Sequence, residues 1–290
     1  MEALVRIEQA LDMAVAYAEA PGAPPQLAQA MRYSVFPGGA RIRPRLCLAV
    51  AHACGDDEPD LSNAAAAAIE LFHCASLVHD DLPCFDDAEL RRGRPSVHRA
   101  FGEPLAVLAG DALIVLAFET LARAGACAPQ RLAGLTLTLA RSVGMPAGII
   151  AGQAWESEPR VSVSDYQRAK TGSLFVAATA AGALAAGADP APWRALGDRL
   201  GEAYQVADDI GDAVAAEEDN GKPVGRDIAL GRPSAVVQLG LAGAMERLRD
   251  LVKGAVASIP ECQGSDELKA LVMSESTRLV PKQLSDRVAA

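Results

Sequence analysis

A chain of 290 residues with a formal charge of -10 is long enough to bury a large core, and it carries no basic stripe to meet a nucleic-acid backbone. Half of its residues are apolar, led by Ala and Leu, and only 4% are aromatic, which favours closely packed helices over a β-sandwich. The six cysteines (Cys47, Cys54, Cys74, Cys84, Cys127, Cys262) show neither CxxC spacing nor His pairing. They argue against a zinc site and read as small buried thiols of a reducing cytoplasm.

The first eleven residues form an amphipathic helical pattern with acidic residues, unlike a signal peptide. Helical periodicity then continues nearly throughout, punctuated by Pro and Gly clusters, and no alternating run demands a strand. No linker divides the chain and no fixed period repeats. The expectation is one all-α domain over 1–290, a bundle of roughly ten to twelve helices with functional groups projecting into a central cavity.

At 38–44 the chain reads Gly-Gly-Ala-Arg-Ile-Arg-Pro, placing two arginines where a loop becomes a helix and orphan N–H groups already favour an anion. The next segment is entered near Ser62 and is apolar for almost its whole length. Pro83 must end it, so Asp80 and Asp81 fall in its last turn. Glu70, His73, Asp80 and Asp81 share an arc of roughly 100° on this cylinder. With no lysine among them, the arc predicts a lined polar cavity and not a solvated face. Carboxylates at a helix C-terminus meet the negative end of the dipole, and Asp86 and Asp87 add to the crowding, so a bound cation is expected. Oxygen-only donors point to Mg²⁺ or Mn²⁺. Arg91 and Arg92, which follow at once, suit an anion.

Further on, Lys170-Thr171-Gly172-Ser173 sets a cation and two hydroxyls beside a glycine. The stretch from Thr171 to Ala188 carries no charge for 18 residues, but its Ala, Gly, Thr and Ser content predicts a core helix and no membrane span. A second acidic cluster ends the helical run Leu-Gly-Glu-Ala-Tyr-Gln-Val-Ala-Asp-Asp-Ile-Gly-Asp. There Gln205, Asp208 and Asp212 share one face, and Lys222 follows. Two aspartate-rich helix ends facing one another would hold divalent ions, which would grip a diphosphate.

This ordered set resembles the trans-polyprenyl diphosphate synthases, the family of farnesyl and geranylgeranyl diphosphate synthases. The resemblance covers nearly the whole chain: Gly-Gly-x-Arg-Ile-Arg-Pro at 38–44, the first aspartate motif at 80–86, Arg-Arg-Gly at 91–93, Lys-Thr-Gly at 170–172 and Gln-Val-x-Asp-Asp-Ile-x-Asp at 205–212. It implies a helical bundle of the isoprenoid synthase type. It also implies a homodimer and a prenyltransferase that uses three Mg²⁺ ions, or Mn²⁺, to join isopentenyl diphosphate to allylic diphosphates. By resemblance Asp80 and Asp86 ligate metal from one wall, and Asp208 with Asp212 from the other, supported by Asp81 and Asp209. Arg91, Lys170, Thr171, Gln205 and Lys222 would hold the allylic diphosphate, while Arg43, His73 and Arg92 would hold that of isopentenyl diphosphate. Asp80, Asp86, Asp208, Arg91 and Lys170 are thus the expected catalytic set.

The chain departs from the family pattern in places. Ala40 stands where a lysine is usual, so Arg41 or a neighbour is expected to compensate. Glu156 replaces a usual aspartate, Arg232 replaces a usual lysine, and the C-terminal tail lacks the family's basic ending. Gly-Gly-Ala-Arg-Ile-Arg-Pro and Ala-Gly-Gln-Ala-Trp-Glu-Ser-Glu look most like the carotenoid-pathway geranylgeranyl diphosphate synthases of photosynthetic proteobacteria. Ser76 and Ala75, four and five residues before Asp80, lie about one helical turn (~5.4 Å) deeper, where the family sets product length. Both are small, which predicts a C20 product and a floor supplied by a neighbouring helix. A farnesyl (C15) synthase is the nearest alternative, and a class I terpene cyclase or a non-catalytic synthase subunit are more distant ones.

Overall fold

The computed structural model describes residues 2–159, 162–214 and 234–279. In chain order these form α1 (Glu2–Ala18), α2 (Pro25–Val35), α3 (Ile42–Ala53), α4 (Pro59–Asp80), a hairpin of β1 (Leu90–Arg91) and β2 (Arg94–Pro95), α5 (Val97–Phe101), α6 (Glu103–Ala124) and α7 (Pro129–Val143). There follow α8 (Ile149–Ala154), α9 (Val163–Gln167), a π-turn (Arg168–Gly172), α10 (Ser173–Ala185), α11 (Arg194–Val214), α12 (Ala235–Ala257) and α13 (Ser265–Leu279). Two compact units divide them. One contains the residues up to Ala140 plus Ala177–Pro190; the other contains Arg141–Val176 and the described residues from Ala191 onward.

In the first unit α4 is the central helix. A proline at its first position is pre-set for helical φ, and its alanines allow close approach from several sides. It packs on α6, α3, α1 and α2, and buried residues run all round it from Leu61 to Val78. Phe72 of α4 meets Phe118 of α6 edge to face, with ring centroids 5.1 Å apart. The C-terminal part of α10 supplies Ala177, Ala178, Ala180, Ala181, Ala183 and Ala185 to this core, fully buried. A Cβ on Gly182 would lie 2.3 Å from the Cys47 carbonyl, so only glycine lets α10 approach α3 so closely. The charge-free stretch expected as a core helix is therefore packed as one.

Helices α4 and α6 are each 22 residues long and apolar enough to cross a bilayer by length and composition. The apolar window of α4 is 78% buried within the protein, as befits a core helix, and that of α6 is 39% buried. The short hairpin follows no alternating run, and its cause is local. Arg92 and Gly93 both adopt positive φ (54° and 73°), the backbone of a two-residue turn whose twist suits paired strands.

In the second unit α11 and α12 bury Ala203, Val206, Ala207, Ile210, Ala244, Met245, Leu248, Leu251 and Val252 between them. The expectation of six buried thiols holds for Cys47 and Cys74 only. Cys54 and Cys262 are half-buried, Cys84 and Cys127 are exposed, and none of the six is in a disulfide. Burial pushes the Cys74 thiol up to about 12, assisted by the charge of Glu70, so it is inert.

Candidate active site

The first aspartate motif begins where α4 stops. Asp81 closes the helix, and the following loop folds back on it. The Asp86 N–H donates to the Asp80 carbonyl (3.0 Å), that of Asp87 to Leu82 (3.0 Å) and that of Ala88 to Asp81 (3.1 Å). The six-residue separation in sequence thereby becomes adjacency in space. Asp80 is half-buried, while Asp81 is only 2% exposed and lies against Arg91, whose Nε donates to both its oxygens at 3.0 and 3.1 Å and whose Nη2 donates to Oδ1. Arg91 Nη2 is also 4.0 Å from Asp80 Oδ2. Burial works against the guanidinium charge, but hydrogen bonding to Asp81 and the charges of Asp81, Asp80 and Asp86 outweigh it and raise its pKa.

The arc of four polar residues on α4 divides in two. His73 and Asp80 are half-buried, whereas Glu70 is 2% exposed and accepts a 2.7 Å hydrogen bond from Arg41 Nη1. Arg41 is itself 2% exposed. It starts α3 from the left-handed region (φ 52°), donating from Nε to Glu8 at 2.8 Å and from Nη2 to the Val35 carbonyl at 2.9 Å. The expected compensation for Ala40 by Arg41 is thus not available: that guanidinium is locked inside its unit, and Arg43 is the arginine of the pair left half-buried.

Both glycines of the Gly-Gly pair are explained here. A Cβ on Gly38 would lie 2.2 Å from the Arg41 guanidinium, and one on Gly39 would lie 3.0 Å from that of exposed Arg92. Four arginines also govern His73. Burial pushes its imidazolium well down from the usual value, and the charges of Arg43, Arg92, Arg91 and Arg41 act in the same direction, so His73 is neutral. Deeper in α4, Ala75 is 1% exposed and the Ser76 hydroxyl donates to the His73 carbonyl (2.8 Å). Phe72 lies three residues below Ala75 and four below Ser76, on the same face.

The second unit holds the other candidates. Asp208 is exposed and Asp212 half-buried, while Asp209 is buried and takes hydrogen bonds from Gln205 Nε2 (3.0 Å) and the Ala235 N–H at the start of α12 (2.7 Å). Gln205 Oε1 accepts from Thr171 Oγ1 at 2.9 Å. Gln205 therefore links Thr171 to Asp209. Lys170 Nζ lies 2.6 Å from Glu156 Oε1, which also accepts from the Tyr166 hydroxyl (2.7 Å), while Gln153 Nε2 donates to Glu156 Oε2 (2.9 Å). Tyr166 escaped the sequence reading, although its place four residues before Lys170 puts both on one helix face.

Lys170 and Thr171 stand on the π-turn, a rare local geometry often found at functional sites. Two glycines grip that turn. A Cβ on Gly152 of α8 would lie 2.4 Å from the Lys170 nitrogen, and one on Gly201 of α11 would lie 2.7 Å from Gly172 Cα. Lys222 and Arg232 lie outside the described residues.

Among the described residues no three His, Cys, Asp or Glu side chains form a group able to hold a metal ion by themselves. The donors present nevertheless fit Mg²⁺. Asp80 and Asp86 are brought together by a backbone hydrogen bond, and Mg²⁺ is commonly held by one or two carboxylates with water and substrate phosphate completing six oxygens.

A predominantly helical scaffold that closes one helix on an aspartate-rich loop, beside arginines and a histidine, is that of an isoprenoid synthase. The chain belongs to the polyprenyl synthetase family, whose sequence model matches residues 24–271, and it is a prenyltransferase. It is 57% identical over 283 residues to a geranylgeranyl diphosphate synthase of Cereibacter sphaeroides, covering 98% of both chains. It is 54% identical to the enzyme of that name from Rhodobacter capsulatus, covering 92% of each. A crystal structure of a geranyltransferase from Helicobacter pylori, complexed with magnesium and isoprenyl diphosphate, matches with a TM-score of 0.78. That match has 28% identity and covers 96% of this chain and 98% of the other.

Proposed function

We propose that this protein is a Mg²⁺-dependent geranylgeranyl diphosphate synthase, condensing isopentenyl diphosphate head to tail with allylic diphosphates up to C20. The observation that carries the reading is the Asp80–Asp86 pair, closed by the backbone of α4 and flanked by Arg91, in a chain 57% identical to a relative of that name. Asp80 and Asp86 would hold Mg²⁺, as would Asp208 with Asp212, with three ions, or Mn²⁺, serving in all. Bound Mg²⁺ supplies neutralisation of the charge that develops on the leaving diphosphate. Lys170 and Thr171 bind the allylic diphosphate, and Gln205 orients Thr171 through its carbonyl. Lys222 joins them from outside the described residues. Arg43, Arg92 and neutral His73 bind the diphosphate of isopentenyl diphosphate.

Chemically, the allylic C1–O bond breaks and diphosphate departs with the electron pair. The isopentenyl double bond forms the new C–C bond at the allylic carbon, and a proton leaves the resulting cation for the departed diphosphate. Asp81 anchors Arg91 throughout, so that its charge faces the reacting groups with little reorganisation.

Product length follows from depth. Ala75 and Ser76 are small residues one turn below Asp80, and the Phe72–Phe118 pair one turn further would supply the floor, Phe118 coming from the neighbouring helix. One domain over 1–290, no membrane span, a homodimer in the cytoplasm and a role in supplying C20 chains for carotenoids complete the reading. Incubation of the purified protein with isopentenyl and dimethylallyl diphosphates, followed by sizing of the products, tests it. A main product of C20 is expected, and one ending at C15 would replace it with the farnesyl alternative. Ala75→Tyr is expected to shorten the product by one isoprene unit, read in the same assay.

A further inference from the structure

Asp87, next to the proposed metal ligand Asp86, has no part in the chemistry above. Its backbone is left-handed (φ 44°), uncommon for any residue but glycine, and its N–H is tied to the Leu82 carbonyl. Its carboxylate faces α5: Arg99 Nη2 donates to Oδ1 at 3.1 Å, and His98 Nε2 lies 3.6 Å from the same oxygen. His98 is buried. Its Nδ1 is 3.0 Å from the hydroxyl of buried Ser96, and its Nε2 is shielded from solvent with no hydrogen-bond partner. Ser96 begins α5, yet its hydroxyl caps no helix N–H and faces the imidazole. When Nδ1 accepts from that hydroxyl, Nε2 carries the hydrogen, and the group before it is the Asp87 carboxylate.

We propose that His98 and Arg99 are positioning residues for the metal motif: acting through the Asp87 carboxylate, they hold residue 87 in its left-handed conformation and with it the placement of neighbouring Asp86. Backbone bonds tie the loop to α4 on both sides of residue 87, from Asp86 to the Asp80 carbonyl and from Ala88 to the Asp81 carbonyl. The side-chain anchor adds to these bonds by holding residue 87 left-handed, a conformation whose relaxation toward ordinary backbone would shift Asp86. Groups that orient a metal ligand typically govern metal affinity by about 10–100-fold. The inference rests on the reading of Asp80 and Asp86 as metal ligands.

The test is the thermal shift produced by titrating MgCl₂ in the presence of inorganic diphosphate, alongside the Mg²⁺ dependence of turnover. His98→Asn and Arg99→Met should each raise the Mg²⁺ concentration at half-shift by about tenfold or more. The KM for isopentenyl diphosphate should stay within about twofold of the unaltered protein. His98→Gln, whose amide nitrogen reaches the Nε2 position, should recover most of the loss. Equal Mg²⁺ midpoints for the unaltered protein, His98→Asn and Arg99→Met would overturn the proposal. So would a loss of metal affinity in His98→Asn that His98→Gln fails to recover. Should the buried His98 variants fail to fold, exposed Arg99 decides alone: an unshifted midpoint in Arg99→Met overturns the proposal and a raised one supports it. No Mg²⁺-dependent shift in the unaltered protein, by contrast, would remove the metal reading of Asp80 and Asp86 itself, and this inference with it.

Discussion

Two arginines separated by one residue have opposite fates here. Arg41 is sealed in the first unit between Glu8, Glu70 and the Val35 carbonyl, whereas Arg43 stays half-buried among the charges around His73. Removing the first should therefore act on folding. Arg41→Met leaves the Glu70 carboxylate buried and unpaired, for which a loss of about 3–5 kcal/mol is expected. A thermal melt should show a marked fall in Tm, with KM for isopentenyl diphosphate unchanged in the fraction that folds. His73 gives a pH prediction at the same scale. Its folded-state pKa is depressed, so its contribution to stability is present above the unfolded-state value near 6.5 and is lost as pH falls below it. Tm should decline on acidification from about pH 6.5, and His73→Gln should flatten that part of the curve.

At the scale of elements, the π-turn that carries Lys170 and Thr171 is shaped by what presses on it. Gly152 and Gly201 face the turn's backbone, and backbone cannot step aside as a side-chain end can. Gly152→Ala or Gly201→Ala should cost about 1–3 kcal/mol through overpacking. Each should also raise KM for the allylic diphosphate more than KM for isopentenyl diphosphate, since only the Lys170–Thr171 turn is displaced. Steady-state kinetics with each substrate varied in turn checks the asymmetry. Gly110 offers a control: its added Cβ would meet the His79 ring at 2.1 Å, a side chain with room to rotate, so Gly110→Ala should spare that ratio.

For the whole molecule, the homodimer proposed above predicts a particle of twice the 30.1 kDa chain mass in light scattering coupled to size exclusion, independent of Mg²⁺. A mass of one chain at micromolar concentration would count against it.

What the sequence determined by itself were the features set by local covalent rules and by strong patterns. Pro83 ends α4 whatever surrounds it, and the apolar cylinder from Leu61 to Val78 demands burial. The helical class and the family follow from these and from the ordered motifs. What only the tertiary structure decided was the partner of each polar side chain. Glu70 and Asp81 read as cavity-lining carboxylates, yet each is buried against an arginine outside its own helix, because an ion pair in a shielded setting depends on which segments meet there. Asp209 likewise accepts from Gln205 and from the N–H at the start of α12, contacts that spacing along one helix does not disclose. The hairpin turn at Arg92–Gly93, the π-turn and the left-handed Asp87 are likewise invisible to periodicity. Each is a conformation of one to five residues that packing selects, and a pattern read over a dozen residues averages it away.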